Sequence, residues 1–246
     1  MRRYGLIGWP LGHSFSKGYF TEKFRREGIV DACYELFPIE NIGQLPDILA
    51  QHPDLCGLNV TIPYKEQVIP LLHQLDDTAA KVGAVNCIKT LPDQQLKGYN
   101  TDVIGFEQSL LGMTGWLPNL GSALILGTGG ASKAVAYVLE RLGVPYHFVS
   151  RKPSSPQEMA YTDLNGAIGN CRLIVNTTPS GTYPDVHLMP PFPVDLFQTG
   201  MFVFDLIYNP AETLLLHEAK QRGCSTKNGL EMLELQAEAA WKIWQQ

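Results

Sequence analysis

Four short apolar runs, SALIL (122–126), YHFVS (146–150), RLIVN (172–176) and MFVF (201–204), recur through the second half of the chain. Segments of this length and character are the kind buried on both faces of a parallel sheet. Parallel neighbours cannot be joined by a tight turn and need long crossovers. Helical patterns separate at least two pairs of these runs, so an α/β layer architecture is expected.

The first half alternates in the same way. Residues 3–8 read as a strand, 16–27 as a helix with Phe20 and Phe24 four apart, and 32–37 as a second strand. A helix near 41–51, a strand from Gly57, and helical segments over 64–82 that Pro70 bends or splits continue the series. GAVNCIKT (83–90) and QLKGYN (95–100) flank a Pro-Asp turn and read as a β-hairpin, so the first sheet is not required to be wholly parallel. A helix then runs from Asp102 to about Leu111, and the turn-rich GMTGWLPNLG (112–121) marks a domain junction. The last helix, from Gly229 to about Trp244, carries Leu230, Leu233, Ala237, Ala240, Trp241 and Trp244 on one stripe and needs a large partner surface. The long SGTYPDVHLMPPFPVD loop (180–195) fits either a functional loop or a surface excursion.

A chain of 246 residues with 45% hydrophobic content can bury a real core. Its net charge of -5 disfavours sequence-blind attraction to a nucleic acid and directs attention to a small-molecule site. Cys33, Cys56, Cys87, Cys171 and Cys224 fall singly and read as buried thiols of a reducing compartment. The six histidines form no i, i+4 pair and no ligand cluster, so no metal is expected. Gly8, Pro10 and His13 interrupt any secretory h-region, and no run approaches the ~20 apolar residues of a membrane span. A cytoplasmic location without membrane association follows as the expectation.

GTGGAS (127–132) follows SALIL directly and opens a helix whose Ala134, Val135, Val138, Leu139 and Leu142 form an inward stripe. Glycines allow a tight turn and a close approach to a pyrophosphate, while free N–H groups of the helix's first turn face the phosphates. The sixth position is Ser132 rather than glycine or alanine, and a purely structural turn remains an alternative. About 20 residues beyond the first glycine, an NAD site would place an acidic residue on the ribose 2′-hydroxyl. Ser150, Arg151 and Lys152 stand there instead, which suits a 2′-phosphate and favours NADP over NAD; a solvated basic turn is the other reading.

GLNVTIPYK (57–65), GAVN (83–86) and GYNTD (98–102) bring Asn59, Thr61, Lys65, Asn86, Asn100 and Asp102 into one half of the chain. Leu58, Val60 and Ile62 alternate with Asn59 and Thr61, so the two polar side chains share a face of the strand. Amides, hydroxyls and a carboxylate suit a polyhydroxylated ligand, and an acidic residue near a lysine can position its ammonium for proton transfer. Taken singly, the Asn and Asp residues fit turns and caps equally well.

GWPLGHSFS, GLNVTIPYK, GAVN, GYNTD, GTGGAS, NTTPSG, DLIYNP and GLEMLELQ occur in one order from residue 8 to 236, and in this the chain resembles the shikimate dehydrogenases. The resemblance implies two α/β domains: a substrate domain (1–102 with 229–246) completed by the C-terminal helix, and a Rossmann-like NADP-binding domain (103–228). Crossing the junction twice favours a hinged cleft. It further implies that Ser14, Ser16 and Tyr208 hold the substrate carboxylate, that Lys65 and Asp102 are the catalytic pair, and that Thr61, Asn86 and Gln236 bind ring hydroxyls with Asn59 in support. Gly127, Thr128, Gly129, Gly130 and Ala131 correspond to the phosphate turn. Asn176 and Thr177 stand where the chain passes the adenosine half, Leu206 and Gly229 near the nicotinamide, and Asp77 near the cofactor in some members.

Two departures stand out: Lys17 follows Ser16 where the family has proline, and Ser150-Arg151-Lys152 replaces Asn-Arg-Thr. The implied activity is NADP-dependent reduction of 3-dehydroshikimate to shikimate, by a monomer or homodimer. A quinate or dual quinate/shikimate dehydrogenase is the alternative, and a non-catalytic NADP-binding redox sensor is the alternative of another class.

Overall fold

Strands form where the apolar runs predict them, and two sheets result. The computed structural model describes residues 1–12 and 14–246, so His13 of the GWPLGHSFS segment lies outside the described residues. The chain divides into two compact units, Met1–Thr101 with Ala237–Gln246, and Asp102–Gln236.

The first unit contains β1 (Arg2–Gly8), α1 (Phe15–Arg26), β2 (Ala32–Pro38), α2 (Leu45–Gln51), β3 (Leu55–Val60), β4 (Gln74–Leu75), α3 (Asp77–Val82), β5 (Cys87–Thr90) and β6 (Leu96–Tyr99). Its six-stranded sheet has the order β2-β1-β3-β5-β6-β4. β1 pairs in parallel with β2 and β3, whereas β5 is antiparallel to β3 and β6, as the hairpin reading requires. One face packs Ile7, Leu58, Val60, Val68 and Ile88. The other packs Tyr4, Phe20, Phe24 and Tyr34 against Ala237, Ala240, Trp241 and Trp244 of the final helix.

Three expectations need correction here. Residues 65–68 form turns rather than a helix, followed by a single 3-10 turn, Ile69–Leu71, with Pro70 in its first positions. Prolines at 63 and 70 remove the backbone donors that a continuous helix there would need. Ile62 does not share the buried face of Leu58 and Val60; it lies beyond the strand and is 63% exposed. Cys33 and Cys56 are only half-buried, while Cys87, Cys171 and Cys224 are buried, and all five thiols are free.

The second unit contains α4 (Asp102–Leu111), β7 (Ser122–Leu126), α5 (Gly130–Arg141), β8 (Tyr146–Ser150), β9 (Glu158–Ala160), α6 (Leu164–Ala167), β10 (Cys171–Asn176), β11 (Phe202–Asp205), α7 (Leu214–Gln221) and β12 (Ser225–Lys227). Helix α8 (Leu230–Gln245) begins in this unit and contributes its residues from Ala237 onward to the first. All pairings in the sheet are parallel, in the order β12-β11-β10-β7-β8-β9. Read from β9, this is the 3-2-1-4-5-6 order of a doubly wound dinucleotide-binding sheet, with its topological switch between β7 and β10. Leu230, assigned to the inward stripe of α8, is exposed, and Met232 is buried in that first turn instead. Phe192 of the proline-rich loop is buried in the core with Phe197, while Tyr183, Val186 and Leu188 of that loop remain exposed.

Candidate active site

Each unit carries its own set of candidate residues. In the first unit, Ser14 is the N-cap residue of α1, with extended backbone (φ -82, ψ 120), but its side chain does not cap the helix. Its Oγ is buried and has no hydrogen-bond partner among the described residues. A buried hydroxyl left unpaired costs roughly 1–3 kcal/mol, so this is a group suited to a ligand's acceptor. Lys17, the departure from the family pattern, lies inside a helix that has already begun at Phe15.

A buried polar chain runs across the carboxyl ends of this sheet. The Tyr34 hydroxyl, also in side-chain hydrogen-bonding reach of Ser16, donates to Asn59 Oδ1 at 2.8 Å. Asn59 Nδ2 donates to the Asn86 carbonyl at 3.3 Å. Asn86 in turn donates through Nδ2 to Thr101 Oγ1 at 3.0 Å and accepts from the Thr101 amide at 2.7 Å. Burial pushes the Tyr34 phenol well above its ordinary range, which keeps it a neutral donor. Asn59 and Asn86 are thus fixed in orientation before any ligand arrives.

Lys65 is half-buried in the turn after β3, and its carbonyl accepts from the Val85 amide at 2.7 Å, one residue from Asn86. Thr61 is half-buried, with its amide donating to Ile7. The Asn100 side-chain amide donates to the Ala84 carbonyl at 2.8 Å. Asp77 opens α3, whose N-cap is Asp76.

In the second unit, Asp102 is the buried first residue of α4. The strand β7 leads into Gly127, whose φ of 109° lies where glycine is favoured. A Cβ at Gly127 would also meet Thr177 Oγ1 at 2.7 Å, so side-chain bulk is excluded twice. Thr128 and Gly129 are exposed, and α5 starts at Gly130 with Gly129 as a cap that lacks a side chain. The first-turn amides of Gly130 and Ala131 therefore sit at an open helix N-terminus, the arrangement that accommodates a pyrophosphate. Ser132, in place of the usual small sixth residue, is buried and returns its hydroxyl to the Gly129 carbonyl at 2.6 Å.

Ser150 ends β8, its Oγ accepts from the Lys152 amide at 3.2 Å, and Arg151 and Lys152 are both exposed beside it. Across the topological switch, Thr177 anchors to β7 through its amide and its hydroxyl, both on the Leu126 carbonyl. Asn176 is fully buried, and its side chain bonds Asp205 and Thr178 rather than facing outward. Leu206 and Tyr208 follow Asp205 and are half-buried. Gly229 donates to the Ile207 carbonyl at 3.0 Å, and a Cβ there would strike the Leu206 carbonyl. Gln236, half-buried on α8, donates to the Leu233 carbonyl at 2.9 Å.

Tyr34, Thr101 and Asp205 were not singled out from sequence. Tyr34 sits in an apolar-looking strand, and only the pairing of β2, β1 and β3 in one sheet brings it to Asn59. Among the described residues no group of three or more His, Cys, Asp or Glu could hold a metal, and no helix is long and apolar enough to cross a membrane.

Residues 6–88 match the family model of the shikimate dehydrogenase substrate binding domain. The chain is 36% identical to the shikimate dehydrogenase (NADP(+)) of Methanococcus maripaludis, over 98% of this chain and 90% of that one. The crystal structure of the Thermus thermophilus shikimate 5-dehydrogenase in complex with NADP(H) and shikimate superposes with a TM-score of 0.86 at 30% identity, covering 99% of this chain and 93% of that one. The quinate dehydrogenase of Corynebacterium glutamicum in complex with NAD gives 0.87 at 27% identity, over 99% and 93%. With similarity running through both units, the chain belongs to the shikimate dehydrogenase family.

Proposed function

We propose that this protein is an NADP-dependent shikimate dehydrogenase, which reversibly reduces the ketone of 3-dehydroshikimate to the hydroxyl of shikimate. The observation that carries this reading is identity of 36% to a shikimate dehydrogenase (NADP(+)) over 98% of the chain, rather than over either unit alone. The first unit supplies most of the groups that hold the substrate, and the second supplies the cofactor site together with Asp102, Tyr208 and Gln236. The protein works in the cytoplasm as a monomer or homodimer.

The bare turn at Gly127–Ala131 and the exposed Arg151 and Lys152 fit a dinucleotide with a 2′-phosphate. When bound, the cofactor supplies the hydride as NADPH in one direction and accepts it as NADP+ in the other. The Ser14 and Ser16 hydroxyls, with Tyr208, donate to the substrate carboxylate. As the ketone carbon is reduced, negative charge builds on its oxygen. The Lys65 ammonium stabilises that charge and delivers the proton; in the reverse direction the amine removes it. Asp102 orients the lysine and accepts from a neighbouring ring hydroxyl. Thr61, Asn86 and Gln236 read the remaining hydroxyls, and Asn59 keeps Asn86 in place.

Initial rates of NADP reduction with shikimate and quinate side by side, and with NAD as the control cofactor, test the proposal. Shikimate with NADP is expected to give the highest kcat/KM. Preferred oxidation of quinate would favour the second reading, which the likeness to a quinate dehydrogenase supports. Turnover of neither acid would leave a non-catalytic redox sensor.

A further inference from the structure

Asp205 is a fully buried carboxylate at the end of β11, and no role in the chemistry above uses it. Three donors converge on it. Asn176 Nδ2 reaches Oδ1 at 2.9 Å, the Ile207 amide reaches Oδ1 at 3.0 Å, and Thr213 Oγ1 reaches Oδ2 at 2.6 Å.

The other bonds of these partners suit them to donate here. Asn176 Oδ1 accepts from the Thr178 amide at 3.0 Å and hydroxyl at 2.7 Å, so its NH2 group must face Asp205. Thr213 Oγ1 accepts from the Leu216 amide at 3.3 Å as the N-cap of α7, which leaves its hydrogen available to the carboxylate. An ionised carboxylate, which only accepts, satisfies all three.

These bonds join the loop after β10, the loop after β11 and the start of α7. The Leu206 amide adds a bond to the Asn176 carbonyl at 3.0 Å, and Gly229 closes over Leu206 from the other side. The two loops differ in their other supports. Thr177 is held twice to Leu126 independently of Asp205, whereas in the loop after β11 the Ile207 amide bonds Asp205 directly, the Leu206 amide donates to the Asn176 carbonyl and the Ile207 carbonyl accepts from Gly229.

We propose that Asp205 is the positioning residue for the nicotinamide end of the cofactor site, holding Leu206 and Tyr208 in place through the Asn176–Asp205–Thr213 network. This rests on the NADP reading above, and it predicts a loss confined to one end of the dinucleotide.

The test is binding, read by fluorescence titration of the whole chain with NADP and with 2′-phospho-ADP-ribose, which lacks the nicotinamide. Asp205→Asn keeps the size but presents an NH2 group to Thr213. It is expected to weaken NADP about tenfold while leaving the fragment within about twofold. Thr213→Val is expected to show the same selective loss and Thr213→Ser to restore wild-type values, so the pair carries the test should Asp205→Asn not fold. Equal losses for both ligands, or no loss for either, would overturn the assignment while leaving the cofactor reading intact. A wild-type protein that binds neither ligand would overturn both.

Discussion

The indole of Trp244 lies against the bare Cα of Gly57, so that a Cβ on Gly57 would clash with Nε1 and its ring neighbours. Trp244 Nε1 donates to the Ile88 carbonyl at 2.9 Å, and its ring stacks on Tyr4 at 4.8 Å. Gly57→Ala must therefore displace the indole, with overpacking of about 1–3 kcal/mol and a disturbed buried hydrogen bond of about 1 kcal/mol. Thermal unfolding followed by circular dichroism is expected to fall by at least about 4 °C. A melting point unchanged within error would show that the helix shifts without loss.

Lys65→Ala is expected to lower kcat by about 10² or more while changing the KM for shikimate much less, as removal of a proton donor does. The half-buried setting of Lys65 and the backbone bond at its carbonyl leave the turn intact when the ammonium is removed. Steady-state kinetics in both directions measure this. Turnover close to wild type would remove Lys65 from the mechanism.

What could be read from sequence was what local pattern determines. The runs at 122–126 and 172–176 became β7 and β10 because uninterrupted apolar segments have few alternatives to a doubly covered sheet. Gly127 was legible as a turn because few other residues tolerate its backbone. Asp205 and Tyr34 were not legible, since each acquires its role from residues 29 and 25 positions away in sequence. Apolar spacing around two prolines predicts a helix at Lys65, but the chain there forms a turn in which the preceding Tyr64 donates its hydroxyl to the distant Ile39 carbonyl.

Arg151→Ala should weaken NADP far more than NAD, because only the former carries a phosphate on the adenosine ribose for a guanidinium to grip. Arg151 is exposed beside Ser150 at the end of β8, so the substitution leaves the core untouched. A tenfold or greater rise in the KM for NADP, with NAD within about twofold, is the expected result; equal losses would refute the 2′-phosphate assignment.

Asp205 also ties stability to pH with a definite sign. Burial pushes its carboxyl from an ordinary 3.8 up to about 6, against the opposing pull of its bonds from Thr213, Ile207 and Asn176. The folded chain therefore holds this proton more tightly than the unfolded chain does. The stabilisation from that proton is fully present below about pH 4 and is lost as pH rises through about 6. A separation of about two pH units corresponds to roughly 3 kcal/mol. Asp205→Asn has no proton to lose, so its stability relative to the native chain should rise by up to that amount between pH 4 and 7. Urea unfolding midpoints of the two proteins at several pH values across this window measure the difference. Parallel curves would mean that Asp205 titrates at an ordinary carboxyl pKa despite its burial.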